Sequence, residues 1–121
     1  MTQLLNAQGQ PVSLTFDQYQ RAADSTAIYP KELGLIYVTL GLVSEVGEIA
    51  GKLKKIIRDK AGQIGPDDRM DLIKEAGDVQ WYLAELATEL QASLADIAKL
   101  NIAKLMSRKE RGTLQGSGDD R

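Results

Sequence analysis

Four acidic residues stand in two matched pairs, Glu45-x-x-Glu48 and Glu75-x-x-Asp78. On helices, each i, i+3 pair shares one side and is separated by about 4.5 Å along the axis. Their surroundings match as well. Leu42-Val43-Ser44-Glu45-Val46-Gly47-Glu48-Ile49 and Leu72-Ile73-Lys74-Glu75-Ala76-Gly77-Asp78-Val79 share one pattern, 30 residues apart: Leu, apolar, polar, Glu, apolar, Gly, acid, apolar. That offset suits a helical hairpin, and antiparallel pairing draws the four carboxylates to one edge of the seam. Four such charges repel strongly unless cations lie between them. Glycine inside a helix costs roughly 1 kcal/mol against alanine, so Gly47 and Gly77 point to close approach of two backbones or of a ligand. Each acid alone reads more simply as a solvated helix flank paired with Lys52 or Lys74. The repetition on both helices favours a metal site for the set.

Two absences narrow the chemistry. The chain has no Cys and no His, which removes thiolate and imidazole catalysis and sulfur- or nitrogen-ligated metals. Catalysis would rest on carboxylates, Lys, Arg, Tyr, hydroxyls and metal-activated water. An all-oxygen donor set points to Mg²⁺ or Mn²⁺. The net charge of −2 argues against nucleic acid as a partner, but not against a phosphorylated ligand, since bound cations reverse the local sign.

The 121 residues fit a single domain with ordinary apolar and charged content. A domain of this size has a moderate core, to which association of copies would add. No apolar run is expected to reach the roughly 20 residues that span a bilayer. Met1-Thr2-Gln3-Leu4-Leu5 lacks the basic-then-apolar order of a secretion signal. The cytoplasm is the expected location, with no membrane partner.

The elements that would position the acids follow from periodicity. Residues 1–12 read as a flexible arm. Ser13 or Thr15 can cap a first helix over Phe16–Ser25, and Tyr29-Pro30 interrupts the pattern. From about Lys31 to Lys60, Leu35, Val38, Leu42, Val46, Ile49, Leu53 and Ile56 form a stripe on a second helix. After the Gly62-to-Pro66 loop, Asp67 or Asp68 can cap a third helix over about Asp68–Leu90, striped by Leu72, Ala76, Val79, Leu83, Leu86 and Leu90. Ser93 and Asp96 have capping-box spacing for a fourth helix, running to about Glu110. Residues 112–121 are too Gly-rich and polar for a packed element. The fold class is all-α.

On the fourth helix, Asn101, Lys104 and Arg108 share a face with Leu94, Ile97 and Leu105. An amide in an apolar stripe needs a partner, which a neighbouring helix or a ligand can supply. Trp81, the only tryptophan, reads first as packing in the core or between subunits. Lining a pocket for an aromatic ligand is its second reading.

The three blocks together resemble the MazG-like nucleotide pyrophosphohydrolases, of the all-α nucleoside triphosphate pyrophosphatase superfamily. They are Glu45-x-x-Glu48 with Lys52 and Lys54-Lys55, then Glu75-x-x-Asp78 with Val79-Gln80-Trp81-Tyr82, then Asn101-x-x-Lys104-Leu105-x-x-Arg108. The likeness runs from about Phe16 to Arg111. It implies a four-helix MazG-like bundle assembled as a homo-oligomer, a dimer or a tetramer built from dimers. It implies Mg²⁺ or Mn²⁺ held by Glu45, Glu48, Glu75 and Asp78, and a nucleoside triphosphate cut to monophosphate and pyrophosphate. It places Lys52, Lys55, Lys104 and Arg108 on phosphates, Asn101 on the sugar or α-phosphate, and Trp81 or Tyr82 at the base. Control of the nucleotide pool, with guanine weakly favoured, is the implied role. Many relatives carry a further Glu directly before the first motif acid; this chain has Ser44 there, which leaves the general base unassigned.

Two rivals remain at this level. A phosphoribosyl-ATP pyrophosphohydrolase shares fold and chemistry, and a non-catalytic helical interaction module would use the acids only as surface. A di-iron carboxylate bundle would want Glu-x-x-His ligands, which a chain without His cannot provide.

Overall fold

The computed structural model describes residues 5–121. It contains α1 (Phe16–Asp24), a 3₁₀ turn (Lys31–Leu33), α2 (Gly34–Lys60), α3 (Pro66–Glu89) and α4 (Leu94–Glu110). Among the described residues there are four α-helices and no strand, only an isolated bridge between Leu5 and Pro11. The segment before α1 is a turn closed on Asn6, whose Oδ1 accepts from the Gln8 and Gln10 amides at 2.9 Å each. The expected arm of residues 1–12 extends beyond this turn into residues 1–4, which lie outside the described range.

Local chemistry sets the helix ends. Thr15 begins α1 through a full capping box: its hydroxyl accepts from the Gln18 amide at 3.1 Å, and the Gln18 side chain accepts from the Thr15 amide at 2.9 Å. At α3 the expected cap is corrected. Gly65 holds the N-cap position with Pro66 as first helical residue, and Asp68 reaches back from the third position to accept from the Gly65 amide at 3.0 Å. Proline has no amide to satisfy there, so the start moves two residues earlier. Ser93 caps α4, accepting from the Asp96 amide at 2.9 Å. Between helices the chain turns through left-handed residues, Ala61 and Gly62 after α2 and Gln91 after α3.

The helices α2 and α3 form the principal hairpin, α1 packs on α3, and the start of α4 closes over both α1 and α3. Gln20 stitches that corner: its amide nitrogen donates to Thr88 Oγ1 at 3.1 Å and the Ala92 carbonyl at 3.0 Å, while its oxygen accepts from the Leu94 amide at 2.7 Å. Ala23, Ala84, Ala87 and Leu94 form the core cluster, with Tyr19 and Trp81 against it.

The apolar stripes are only partly used. On α2, Val38 and Ile56 are buried and Leu42 and Ile49 half-buried, but Leu35, Val46 and Leu53 are exposed. Further exposed apolar residues, Ile36, Leu40, Val43 and Ile57, lie around the same helix. On α3, Leu83 and Leu90 are exposed while Ala84, Glu85 and Ala87 are buried. The helix α2 is apolar on more than one side, and its partners among the described residues, α3 and the 3₁₀ turn, cannot cover it. For the same reason Lys31–Lys60 is long and apolar enough to cross a membrane by length and composition, with mean hydropathy 1.5 over 18 residues. This corrects the expectation that no run reaches that length.

Candidate metal centre

The hairpin register is visible in its contacts. Gly41 on α2 lies against the Tyr82 ring on α3, so tightly that a Cβ at residue 41 would collide with the ring. One turn further along each helix, Glu45 and Asp78 line the same cleft. Glu75 joins them, and one carboxylate oxygen from each of Glu45, Glu75 and Asp78 lies within 4.8 Å of the other two. Glu45 and Glu75 are half-buried and Asp78 is exposed. Burial pushes the Glu45 carboxyl above its ordinary range, and the negative charges of Asp78, Glu75 and Glu48 push it further. The site therefore carries repulsion that a bound cation would reduce.

The donor set suits a hard divalent ion. Oxygens at about 2.1 Å from an octahedral ion lie at most about 4.2 Å apart. A group within 4.8 Å thus closes on one by small side-chain rotations. Glu48, the fourth predicted ligand, is exposed and lies outside this group of three. Around Gly47 and Gly77 an added Cβ would meet nothing within 4 Å. Close backbone approach is therefore not what these glycines serve, and the space beside them is open.

Cationic and aromatic groups border the acids. Lys52 Nζ lies 3.2 Å from Glu75 Oε1, and that hydrogen bond raises the ammonium pKa. Lys52 and Lys55 line a second cleft of about 460 Å³ between the end of α2 and the start of α3, with Asp68 and Asp71 opposite. The acid cleft itself is open and shallow, and is bounded by Thr26, Trp81 and Tyr82 beside Glu45 and Asp78. Trp81 is half-buried, packs edge-on to Tyr82 at 4.9 Å, and donates from Nε1 to Thr26 Oγ1 at 2.9 Å. Its two readings meet here, since one ring both touches the core and walls the cleft.

Asn101, Lys104 and Arg108 do not line this cleft. Asn101 and Lys104 border a shallow depression on α4 with Ile97 and Leu100. Asn101 is exposed, so water can serve its amide, and the expected apolar stripe around it is exposed too at Ile97 and Leu105. Arg108 is buried, at 5% exposure, beneath residues 118 and 119. The 112–121 segment, expected to lie unpacked, folds back over α4.

Sequence reasoning missed a buried carboxyl next to this region. Glu85, two turns beyond Asp78 on α3, is fully buried, and its Oε1 has no hydrogen-bond partner among the described residues. The Tyr29 hydroxyl lies 3.1 Å from Glu85 Oε2 and 2.5 Å from Glu89 Oε1. Burial holds the Glu85 carboxyl above its ordinary range, partly opposed by the Tyr29 contact. A tyrosine hydroxyl has one proton to give, so Tyr29 shares it between two carboxylates, with Glu89 the nearer. Lys31 lies over the Tyr29 ring, 4.2 Å from its centre. The available signal was position: Glu85 stands seven residues after Asp78, with Ala84 before it and Ala87 two residues after it.

The sequence model of the MazG nucleotide pyrophosphohydrolase domain matches residues 36–113. The gene 37 protein of Mycobacterium phage L5 is 54% identical over 111 residues, spanning 87% of this chain and 97% of that protein. No solved structure matches.

Proposed function

Because the chain belongs to the MazG nucleotide pyrophosphohydrolase family, we propose that it hydrolyses nucleoside triphosphates to monophosphate and pyrophosphate at the cleft between α2 and α3. The observation that carries this reading is the convergence of Glu45, Glu75 and Asp78 oxygens from two helices.

In the proposed site these three residues hold Mg²⁺ or Mn²⁺, and Glu48 swings in from the next turn as a further ligand. The ions, when bound, neutralise phosphate oxygens and lower the pKa of water at the reacting centre. The chain's own residues do the rest. Lys52 exchanges its bond with Glu75 for a phosphate oxygen once the carboxylates are otherwise neutralised, and Lys55 binds the outer phosphates. Trp81 and Tyr82 offer flat surfaces against the base. Asn101, Lys104 and Arg108 contact the sugar and phosphates, which requires α4 to reach the cleft from a second copy or after rearrangement. The exposed apolar residues of α2 support assembly as a homo-oligomer, a dimer or tetramer. We place the protein in the cytoplasm, in control of the nucleotide pool, with guanine nucleotides as the first substrates to test.

The deciding experiment is a panel of (d)NTPs, with phosphoribosyl-ATP alongside, each with Mg²⁺ or Mn²⁺ and with products separated. Monophosphate and pyrophosphate in equal amounts are expected. Orthophosphate as the only product, or no metal-dependent product from any (d)NTP, overturns the reading.

A further inference from the structure

The 104–111 stretch of α4 holds four cations, Lys104, Arg108, Lys109 and Arg111, against one acid, Glu110. Three glycines with left-handed backbone, Gly112, Gly116 and Gly118, carry the following segment back over this basic stretch. One carboxylate oxygen, Asp119 Oδ1, then accepts from Lys104 Nζ at 3.2 Å and from Arg108 Nη2 at 3.4 Å. Arg108 Nη2 also donates to the carbonyls of Asp119 at 2.6 Å and Gly118 at 3.3 Å. Lys104 first, then Arg108, holds the Asp119 carboxyl below its ordinary range. A lysine and an arginine closing on one oxygen is the arrangement that oxyanions of phosphate receive.

The occupancy is incomplete. Among the described residues Arg108 Nε is buried without a partner, so the guanidinium fork, which suits a two-oxygen anion, is met mainly through one nitrogen. The Asp119 side chain is 83% exposed although its Arg108 partner is buried, and its pair with the more exposed Lys104 is of the kind that contributes little. Leu114 is half in solvent as well, so no apolar anchor fixes the segment. A multiply charged anion offers more charge and a second oxygen for Nε.

We propose that the 112–121 segment is a built-in competitor for polyphosphate at Lys104 and Arg108, the Asp119 carboxylate standing in for a phosphate oxygen. The class of ligand rests on the pyrophosphohydrolase reading; the contacts do not. Polyphosphate binding on this face requires the segment to leave, so its affinity is set partly by the chain itself.

The test is calorimetric titration with inorganic pyrophosphate, without metal and at low salt, on three proteins: the full chain, Asp119→Asn, and a chain ending at Arg111. Asp119→Asn is expected to bind about two- to fivefold tighter, the range an exposed ion pair commands. The shortened chain gains about tenfold or more, and adding Lys104→Met to it removes the gain. Equal affinity in all three proteins, or weaker binding by the shortened one, overturns the proposal. Should the shortened chain lose its helical content, Asp119→Asn decides alone. No turnover enters these titrations. Failure of every (d)NTP to react, with the affinity shift present, removes the proposed activity and leaves the competitor in place.

Discussion

Lys52 Nζ lies 3.2 Å from Glu75 Oε1, so a side chain of α2 already supplies positive charge to an acid of α3. In the proposed site the ammonium and a divalent ion would compete for that carboxylate. Lys52→Met is therefore expected to tighten Mn²⁺ binding a few-fold while raising the KM for triphosphate about tenfold or more, since the same cation is proposed to serve phosphate. Metal titration followed by steady-state kinetics reads both, and parallel loss of both affinities contradicts the assignment.

Removing one acid from the cluster should separate folding from activity. In Asp78→Asn the repulsion that raises the Glu45 pKa is reduced, so the metal-free protein melts at a higher temperature than the parent. The rise in Tm on adding Mg²⁺ or Mn²⁺ disappears, because the ligand that linked metal binding to stability is gone. Turnover falls at least about 100-fold. Glu48→Ala is expected to show the same loss of turnover with helical content intact, although Glu48 stands outside the group of three. Unchanged turnover in that variant excludes it as a ligand.

The buried Glu85 makes stability depend on pH in a defined direction. Burial raises its folded-state pKa, so the folded protein binds the proton more tightly than the unfolded chain. The associated stability is complete below the unfolded value of about 4.3 and is lost as pH rises through the folded value. Glu85→Gln removes that loss. The difference in Tm, variant minus parent, should be near zero or negative at pH 4 and increasingly positive toward pH 8. A difference that does not change with pH contradicts a raised Glu85 pKa.

Three glycines of the hairpin should behave in opposite ways. Beside Gly47 and Gly77 there is room for a Cβ, so alanine at either position should stabilise by about 0.5–1 kcal/mol, a few degrees in Tm. Gly41→Ala meets the Tyr82 ring and should destabilise by about 1–3 kcal/mol. If the space beside Gly47 belongs to substrate, Gly47→Ala gains stability and loses kcat/KM together.

Periodicity made the four helices legible, and Thr15 and Ser93 marked the starts of α1 and α4, because a stripe at helical spacing and a Thr or Ser before it are local properties of the chain. The convergence of Glu45, Glu75 and Asp78 was legible because the spacing of the acids fixes each pair on one side of its helix. What spacing cannot fix is the rotation of each helix about its axis, which packing decides. That rotation turned Glu48 out of the group holding Glu45, and it put Glu85 rather than Leu83 or Leu90 in the interior. The fate of α4 was equally hidden. Arg108 is buried by a segment whose glycines and charges resemble a solvated end, and only the fold-back of residues 118 and 119 reveals its partners.

Tyr82 resting on the bare backbone of Gly41 has a consequence for the cation. The contact lies one helical turn from Glu45 on one side and from Asp78 on the other, so it acts as a spacer gauging the gap those carboxylates must bridge. An ion shared by Glu45 and Asp78, as proposed, would meet a gap whose width this ring sets, so Tyr82→Leu is expected to change the relative thermal stabilisation by Mg²⁺ and Mn²⁺, and equal stabilisation ratios in variant and parent contradict that role.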